Sequence, residues 1–128
     1  MRNRFLGITV LSVVAMMISA PALAHHGTAS YDTSKTVTVK GTVSDFQFSN
    51  PHVLIFMDVK DDKGNVQKWQ GELTSPNHLE RAGWTRTSIK VGDTLTIAGF
   101  PAKSGTTSMW ISKVILADGT PLSAGLGN

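Results

Sequence analysis

The sequence contains no cysteine. This absence excludes a disulfide framework, a thiolate zinc site and a lipid anchor on cysteine. The sequence also lacks a Gly-x-Ser-x-Gly turn, a phosphate-binding loop and a His-Glu-x-x-His helix. Hydrolytic activity is therefore not expected, and the sequence predicts no catalytic residue.

Long apolar runs are equally scarce, and the one that exists lies at the N-terminus. Arg2 and Arg4 precede the apolar run from residue 5 to residue 18, and Ala22-Leu23-Ala24 has the small-x-small pattern read by signal peptidase. The run is shorter than the roughly 20 residues that span a membrane, which argues against a stable anchor. We predict a cleaved signal peptide over residues 1–24 and a periplasmic or secreted protein.

A strong charge of either sign is missing once the leader is removed. The 12 lysines and arginines include Arg2 and Arg4, so the mature part has ten against 9 acidic residues, a net charge near +1. A nucleic-acid partner would require clustered basic residues, so none is expected. Of the 128 residues, those after the leader suffice for one domain with one core. We predict an arm over residues 25–34, a domain over residues 35–122 and a flexible tail over residues 123–128.

The mature part shows alternation typical of β-strands, interrupted by turn residues. Valines occupy odd positions early in the first predicted strand, residues 36–49, whereas Phe46 and Phe48 carry the apolar signal on even positions. A bulge near Ser44-Asp45 would let both sets face inward. Further strands are predicted over residues 53–59, 66–73, 94–100 and 108–116.

One short helix is predicted between the third and fourth strands. Ser75 is a suitable N-cap, Pro76 suits the first helical position, and Gly83 can end the helix. We expect the helix to pack through Leu79 and Ala82, with Trp84 beyond its end. Three strands, a helix and two strands predict an all-β fold with one short helix, a small five-stranded OB-like barrel. An open sandwich fragment is the alternative, although it would leave sheet edges unprotected.

Several short motifs together resemble a known protein family. They are His25-His26-Gly27, Gly41-Thr42-Val43, Asn50-Pro51-His52, Gly83-Trp84 and Val91-Gly92-Asp93. The set resembles a family of small exported bacterial proteins that is catalogued mainly as a domain of unknown function. The resemblance implies an exported OB-like domain and supplies no catalytic residues.

The four histidines are the candidate metal ligands: His25, His26, His52 and His78. Cleavage after Ala24 would give His25 a free α-amine, which can chelate a metal together with its imidazole. A second imidazole would complete a nitrogen-rich set that suits Cu(II), and imidazole also tolerates Cu(I). This arrangement resembles the histidine brace of some copper proteins. Copper is accordingly the predicted cofactor.

The second imidazole is expected from His52 or His78. In a meander the first and third strands run in the same direction, so the segments that follow them lie at the same end of the barrel. The N-terminal arm is long enough to reach either end of the domain. Cleavage after Ala22 is also compatible with the sequence, and it would leave Leu23-Ala24-His25, which binds Cu(II) locally without a folded site.

Other interpretations of these residues stay open. His25 and His26 can belong to a solvated tail, His52 can be a turn residue, and His78 can lie on the helix surface. Met57 and Met109 fit core positions. Two functions are carried forward. One is an exported metal-binding protein that stores, buffers or delivers copper. The other is a metal-free OB-type module that uses the barrel face and the loops at Asn50-Pro51-His52 and Lys103-Ser104-Gly105 to hold a peptide, a sugar or an envelope-protein partner.

Overall fold

The structure is a computed structural model that describes residues 28–126. A short 3-10 turn at Thr28–Ser30 precedes the strands. The regular elements, in chain order, are β1 Val37–Gln47, β2 Leu54–Lys60, β3 Val66–Glu72, α1 Pro76–Arg81, β4 Thr94–Pro101, β5 Ser108–Leu116 and β6 Pro121–Leu122. The predicted leader lies outside the described residues.

Five strands close into a barrel. Their order is β3-β2-β1-β4-β5, and a parallel pairing of β3 with β5 joins the two ends of the sheet. That pairing runs from Gln70 opposite Ser108 to Glu72 opposite Trp110. The predicted mostly-β barrel with one short helix is confirmed. The two-residue strand β6, which pairs with β5, was not predicted.

The first strand bends where its apolar pattern changes phase. β1 pairs with β4 through its first half and with β2 through its second half, and its register with β2 shifts between Val43 and Asp45. On either side of the shift, Val43 and Phe48 are both buried. The bulge thus turns the odd-numbered and even-numbered apolar sets toward the same core, as predicted.

Alternating side chains of β2, β4 and β5 fill the barrel. Ile55, Met57, Ile97, Met109 and Ile111 are completely buried. The predicted core positions of both methionines are therefore confirmed. Each strand contributes one face to the interior, because successive side chains point to opposite sides of a sheet.

The helix is capped as predicted, but one of its two packing residues differs from the prediction. Ser75 accepts a hydrogen bond from the backbone of His78, Pro76 occupies the first turn, and Gly83 has a φ of 93°. Leu79 is fully buried. The expectation that Ala82 also packs on the sheet is wrong: Ala82 is the C-cap and is exposed, because the buried face of this short helix is formed by Pro76 and Leu79.

Trp84 and the C-terminal segment pack together beyond the helix. Trp84 is 3% exposed, and its indole Nε1 donates a hydrogen bond to the Ser123 carbonyl at 2.7 Å. Ala124 is also buried. The predicted flexible tail therefore begins with residues that contact the barrel. Among residues 28–126, no helix has the length and apolarity needed to cross a membrane.

Candidate metal centre

The N-terminal arm, whose described part is residues 28–34, lies across the ends of β4 and β5. The Asp32 amide donates to the Pro101 carbonyl at 2.8 Å, and the Lys103 amide donates to the Ser30 carbonyl at 3.0 Å. A β-bridge joins Tyr31 to Ala102 between these two bonds. The backbone pairing holds Tyr31 against the outside of the barrel.

Tyr31 covers the seam of the barrel, where β3 pairs with β5. Glu72 and Trp110 are paired across this seam. Gly71, which precedes Glu72 in β3, faces the barrel interior, because a Cβ atom at this position would collide with the core residue Ile111. Successive residues alternate between the two faces of a sheet, so Glu72 and Trp110 face outward.

Trp110 is buried although it faces away from the core. It is 6% exposed. The rings of Tyr31 and His52 cover it, with centroids 6.1 Å and 5.4 Å from that of Trp110. His52 follows the Asn50-Pro51 turn, so this loop and the arm approach the indole together. We call these four residues, Tyr31, His52, Glu72 and Trp110, the seam cluster.

Glu72 links the other polar members of the seam cluster. Its Oε1 lies 2.6 Å from His52 Nδ1, and its Oε2 accepts a hydrogen bond from the Tyr31 hydroxyl. The side chains of His52 and Glu72 are only 29% and 20% exposed. Partial burial strengthens the attraction between an imidazole and a carboxylate, because less water screens them.

The Glu72 carboxylate determines which nitrogen of His52 is available. An ionised carboxylate only accepts hydrogen bonds, so Nδ1 of His52 carries the proton of this bond. A neutral imidazole then has its lone pair on Nε2. Metal-binding histidines commonly have this arrangement, in which a carboxylate holds the nitrogen that does not bind the metal. With Nδ1 held by Glu72, Nε2 is the nitrogen of His52 that a metal could bind.

Tyr31 stays a hydrogen-bond donor over the physiological pH range. Burial, followed by the hydrogen bond to Glu72 and the charge of Glu72, raises the pKa of Tyr31 well above its ordinary value. The neutral phenol is thus strongly favoured over the phenolate. The role of Tyr31 in the seam cluster is to hold Glu72, and a phenolate ligand is not expected here.

One polar atom of the seam cluster is buried without a partner. Trp110 Nε1 forms no hydrogen bond with any residue of the described range 28–126. Within that same range, no group of three or more His, Cys, Asp or Glu side chains is arranged to hold a metal ion. A metal centre that included His52 would therefore need ligands from outside this range.

The sequence profile of a family of unknown function, DUF6152, matches residues 13–110 of the chain. This match covers more than half of the 128 residues. The chain belongs to the DUF6152 family. The expected resemblance to a family of unknown function is confirmed at this level. No curated protein matches this DUF6152 chain.

The structure of this DUF6152 member brings the segments of His52 and His78 together but gives the two imidazoles separate partners. The amide of Val53 donates to the Thr74 carbonyl at 3.1 Å, and the Leu73 amide donates to the Val53 carbonyl at 2.9 Å. The two segments are therefore hydrogen-bonded to each other at the backbone. His78 is exposed, and its Nδ1 lies 2.9 Å from the Ser75 hydroxyl within its own helical turn.

The predicted ligands His25 and His26 lie outside the described residues. Sequence reasoning did not identify Glu72, Tyr31 or Trp110 as neighbours of His52. One signal was available for Glu72: in a hairpin of β2 and β3, Leu54 pairs with Glu72, and His52 is two residues before Leu54 on the same face. No local pattern marked Tyr31, because its partners come from distant parts of the chain.

Proposed function

We propose that this protein is exported and binds copper at the seam cluster. The observation that carries the proposal is the 2.6 Å contact between His52 Nδ1 and Glu72 Oε1. It orients a partly exposed imidazole with Nε2 available, which is how proteins prepare a histidine ligand. A histidine that only stabilised its turn would not require a carboxylate that is itself held by Tyr31.

The position of Tyr31 supports the participation of the N-terminal histidines. Tyr31 lies only six residues after His25 and contacts Glu72, the partner of His52. A chain of six residues extends at most about 20 Å. The chain length therefore allows His25 and His26 to reach His52, and a ligand tethered in this way has a high effective concentration.

The combined donor set favours copper. Cleavage after Ala24 would provide the α-amine and imidazole of His25, to which His26 and His52 can add further nitrogens. Divalent copper binds such sites more tightly than other divalent first-row metals, and tetragonal nitrogen sets suit it. We propose that the protein stores, buffers or delivers copper, with His78 as a remaining candidate ligand.

Copper titration of the periplasmic, mature protein tests this proposal. Native mass spectrometry first establishes whether the chain begins at His25 and whether one copper is retained. We expect His52→Ala to weaken copper binding by at least about tenfold. One additional residue before His25 should also weaken it sharply. His78→Ala is the comparison variant, since its imidazole contacts Ser75 rather than Glu72. Copper affinity should stay unchanged in His78→Ala if His52 is the ligand, and it should fall if His78 is.

The outcomes separate the seam site from a local N-terminal site. Cleavage after Ala22 would place His25 third in the mature chain, where copper binds without any folded partner. Copper affinity would then be unchanged in His52→Ala. The same unchanged affinity in a chain that begins at His25 would contradict the proposal that His52 is a ligand.

A metal-free OB-type module is the second candidate, and a specific feature favours it. Two surface depressions adjoin each other on the barrel and share Phe56, Lys68 and Trp69. An aromatic surface with polar neighbours such as Gln70 suits a sugar or peptide. Replacement of all four histidines should leave capture of such a partner intact. Loss of capture in a folded histidine-free variant would contradict this second function.

A further inference from the structure

We propose that the outer face of the barrel binds a chain of neutral sugars across β1, β2, β3 and β5. This proposal rests on the second function given above and names the class of partner. Three features carry it: a row of paired outward residues, the balance of charge around that row, and the paired backbone beneath it.

Four residues on four adjacent strands form the row. Asp45 pairs with Phe56, Phe56 pairs with Gln70, and Gln70 pairs with Ser108. Phe56 faces outward, because its two neighbours in β2 are both buried in the core. Residues that pair directly share one face of a sheet, so the whole row faces outward. Three strand spacings make the row about 14 Å long, which is longer than one sugar ring.

Two surface depressions follow this row. One has a volume of about 420 Å³ and includes Gln70 and Ser108, and the other has a volume of about 400 Å³ and includes Asp45. The partly exposed residues Phe56 and Trp69 line both. An aromatic ring offers an apolar face on which the C–H side of a sugar ring can stack. Phe56, at the centre of the row, is therefore the expected stacking residue.

Most polar side chains that line the two depressions are uncharged. They are the amides of Gln47 and Gln70 and the hydroxyls of Ser44, Thr106, Thr107 and Ser108. Amide and hydroxyl groups each donate and accept hydrogen bonds, and the hydroxyls of a sugar do the same. Gln70 lies directly opposite Phe56, so its amide can reach the hydroxyls of a sugar that stacks on the ring.

The charges around the row are balanced and already have partners. Among the described residues, Asp45 and Lys68 are the charged members of the lining, and their charges are opposite. Lys68 Nζ lies 2.6 Å from Asp58 Oδ1. The Asp45 carboxylate accepts hydrogen bonds from the Phe46 amide and the Gln47 side chain. A nucleic-acid strand requires a positively charged groove, so this surface suits a neutral partner.

The backbone beneath the row favours a sugar over a peptide. Extended peptides commonly bind by adding a strand to a free sheet edge through main-chain hydrogen bonds. Phe56 and Gln70, in contrast, lie on strands that are paired on both sides at this row. A partner on this face must therefore be recognised by side chains, and an aromatic ring beside an amide suits the apolar face and the hydroxyls of a sugar.

Isothermal titration calorimetry of the mature full-length protein tests the proposal. The probes are three neutral oligosaccharides: maltohexaose, cellohexaose and the hexamer of β-linked N-acetylglucosamine. We expect at least one of them to bind with a Kd of about 1 mM or lower. Binding should also change the tryptophan fluorescence, because Trp69 lines both depressions.

Substitutions in the row test the cause of the binding. Phe56→Ala removes the stacking face and should weaken binding by at least about tenfold, whereas Phe56→Tyr keeps the ring and should preserve it. Gln70→Ala removes a hydrogen-bonding group and should weaken binding by roughly threefold to tenfold. Val66→Ala is the matched control, because Val66 is exposed on β3 and lies outside both depressions. Its affinity should equal that of the unmodified protein.

The possible results distinguish this proposal from the function on which it rests. Absence of binding to all three oligosaccharides overturns the proposal, and so does sugar binding that Phe56→Ala leaves unchanged. A peptide library supplies the alternative partner: a peptide that the protein binds in place of the sugars overturns the sugar assignment and leaves the second function in place. A protein that binds neither overturns both. Circular dichroism checks each variant, and Gln70→Ala provides the same comparison if Phe56→Ala does not fold.

Discussion

Glu72→Gln tests how much the seam cluster contributes to the stability of the metal-free protein. The substitution preserves the size of the side chain and removes its charge. Glu72 accepts one hydrogen bond from His52 and another from Tyr31, whereas the substituted amide keeps one accepting oxygen and has a donating NH2 group in place of the other. Hydrogen bonds to charged groups contribute about 1.5–3 kcal/mol, and neutral ones contribute about 0.5–1.5 kcal/mol. Because one bond becomes neutral and the other is lost or must reverse its direction, we expect a loss of about 2 kcal/mol or more.

This loss is large enough to measure by chemical and thermal unfolding. Both side chains are mostly shielded, at 20% exposure for Glu72 and 29% for His52, so solvent screens the interaction only in part. For a domain near 100 residues, a loss of about 2 kcal/mol lowers the Tm by roughly 8–16 °C. Urea unfolding followed by tryptophan fluorescence, with a chelator present, provides the free energy of unfolding directly.

The matched control and a double variant make the reasoning refutable. Glu80→Gln, at an exposed position, should change stability by no more than about 0.5 kcal/mol. Equal stability of Glu72→Gln and Glu80→Gln would refute the energetic role of the seam cluster. Tyr31→Phe combined with Glu72→Gln should cost less than the sum of the single changes, because Tyr31→Phe removes a hydrogen bond that Glu72→Gln already weakens. Strict additivity would show that the two residues act independently.

Three further predictions concern pH, the helix and the barrel. Since burial and Glu72 raise the pKa of Tyr31 above its ordinary 10.0, folding favours the protonated phenol; this stabilisation is complete below pH 10 and is lost as the pH rises above it. Tyr31→Phe should therefore show a smaller alkaline loss of stability than the unmodified protein between about pH 10 and 12 in urea unfolding. Leu79→Ala should lose about 2–5 kcal/mol of unfolding free energy and Ala82→Ser less than about 0.5, because only Leu79 is buried. Gly99→Ala should lose about 3 kcal/mol or more, or fail to fold by circular dichroism, because its Cβ would lie 2.0 Å from the Trp110 carbonyl oxygen.

The course of the strands was largely predictable from local sequence. The predicted fifth strand over residues 108–116 agrees with β5 at both ends, and the bulge in β1 was located from the change of phase before Phe46. Ser75 and Gly83 marked the ends of the helix. These features depend on neighbouring residues alone, because alternation, capping and turn formation are short-range effects.

The exposure of particular side chains was less predictable. Ala82 was expected to pack, yet it is exposed, and Trp110 is buried on the outer face. Periodicity indicates which face of an element a residue occupies. It does not indicate what else covers that face.

The sequence by itself determined the strands, their turns, the bulge and the choice of histidines as candidate ligands, because these follow from residue type and spacing. Only the tertiary structure decided that Glu72 joins His52 to Tyr31 over Trp110. Tyr31 is 41 residues from Glu72 in sequence, and His52 is 20 residues from it. Such pairs meet only when β3 closes against β5 and the arm crosses the seam, and no local pattern encodes the closure of a sheet.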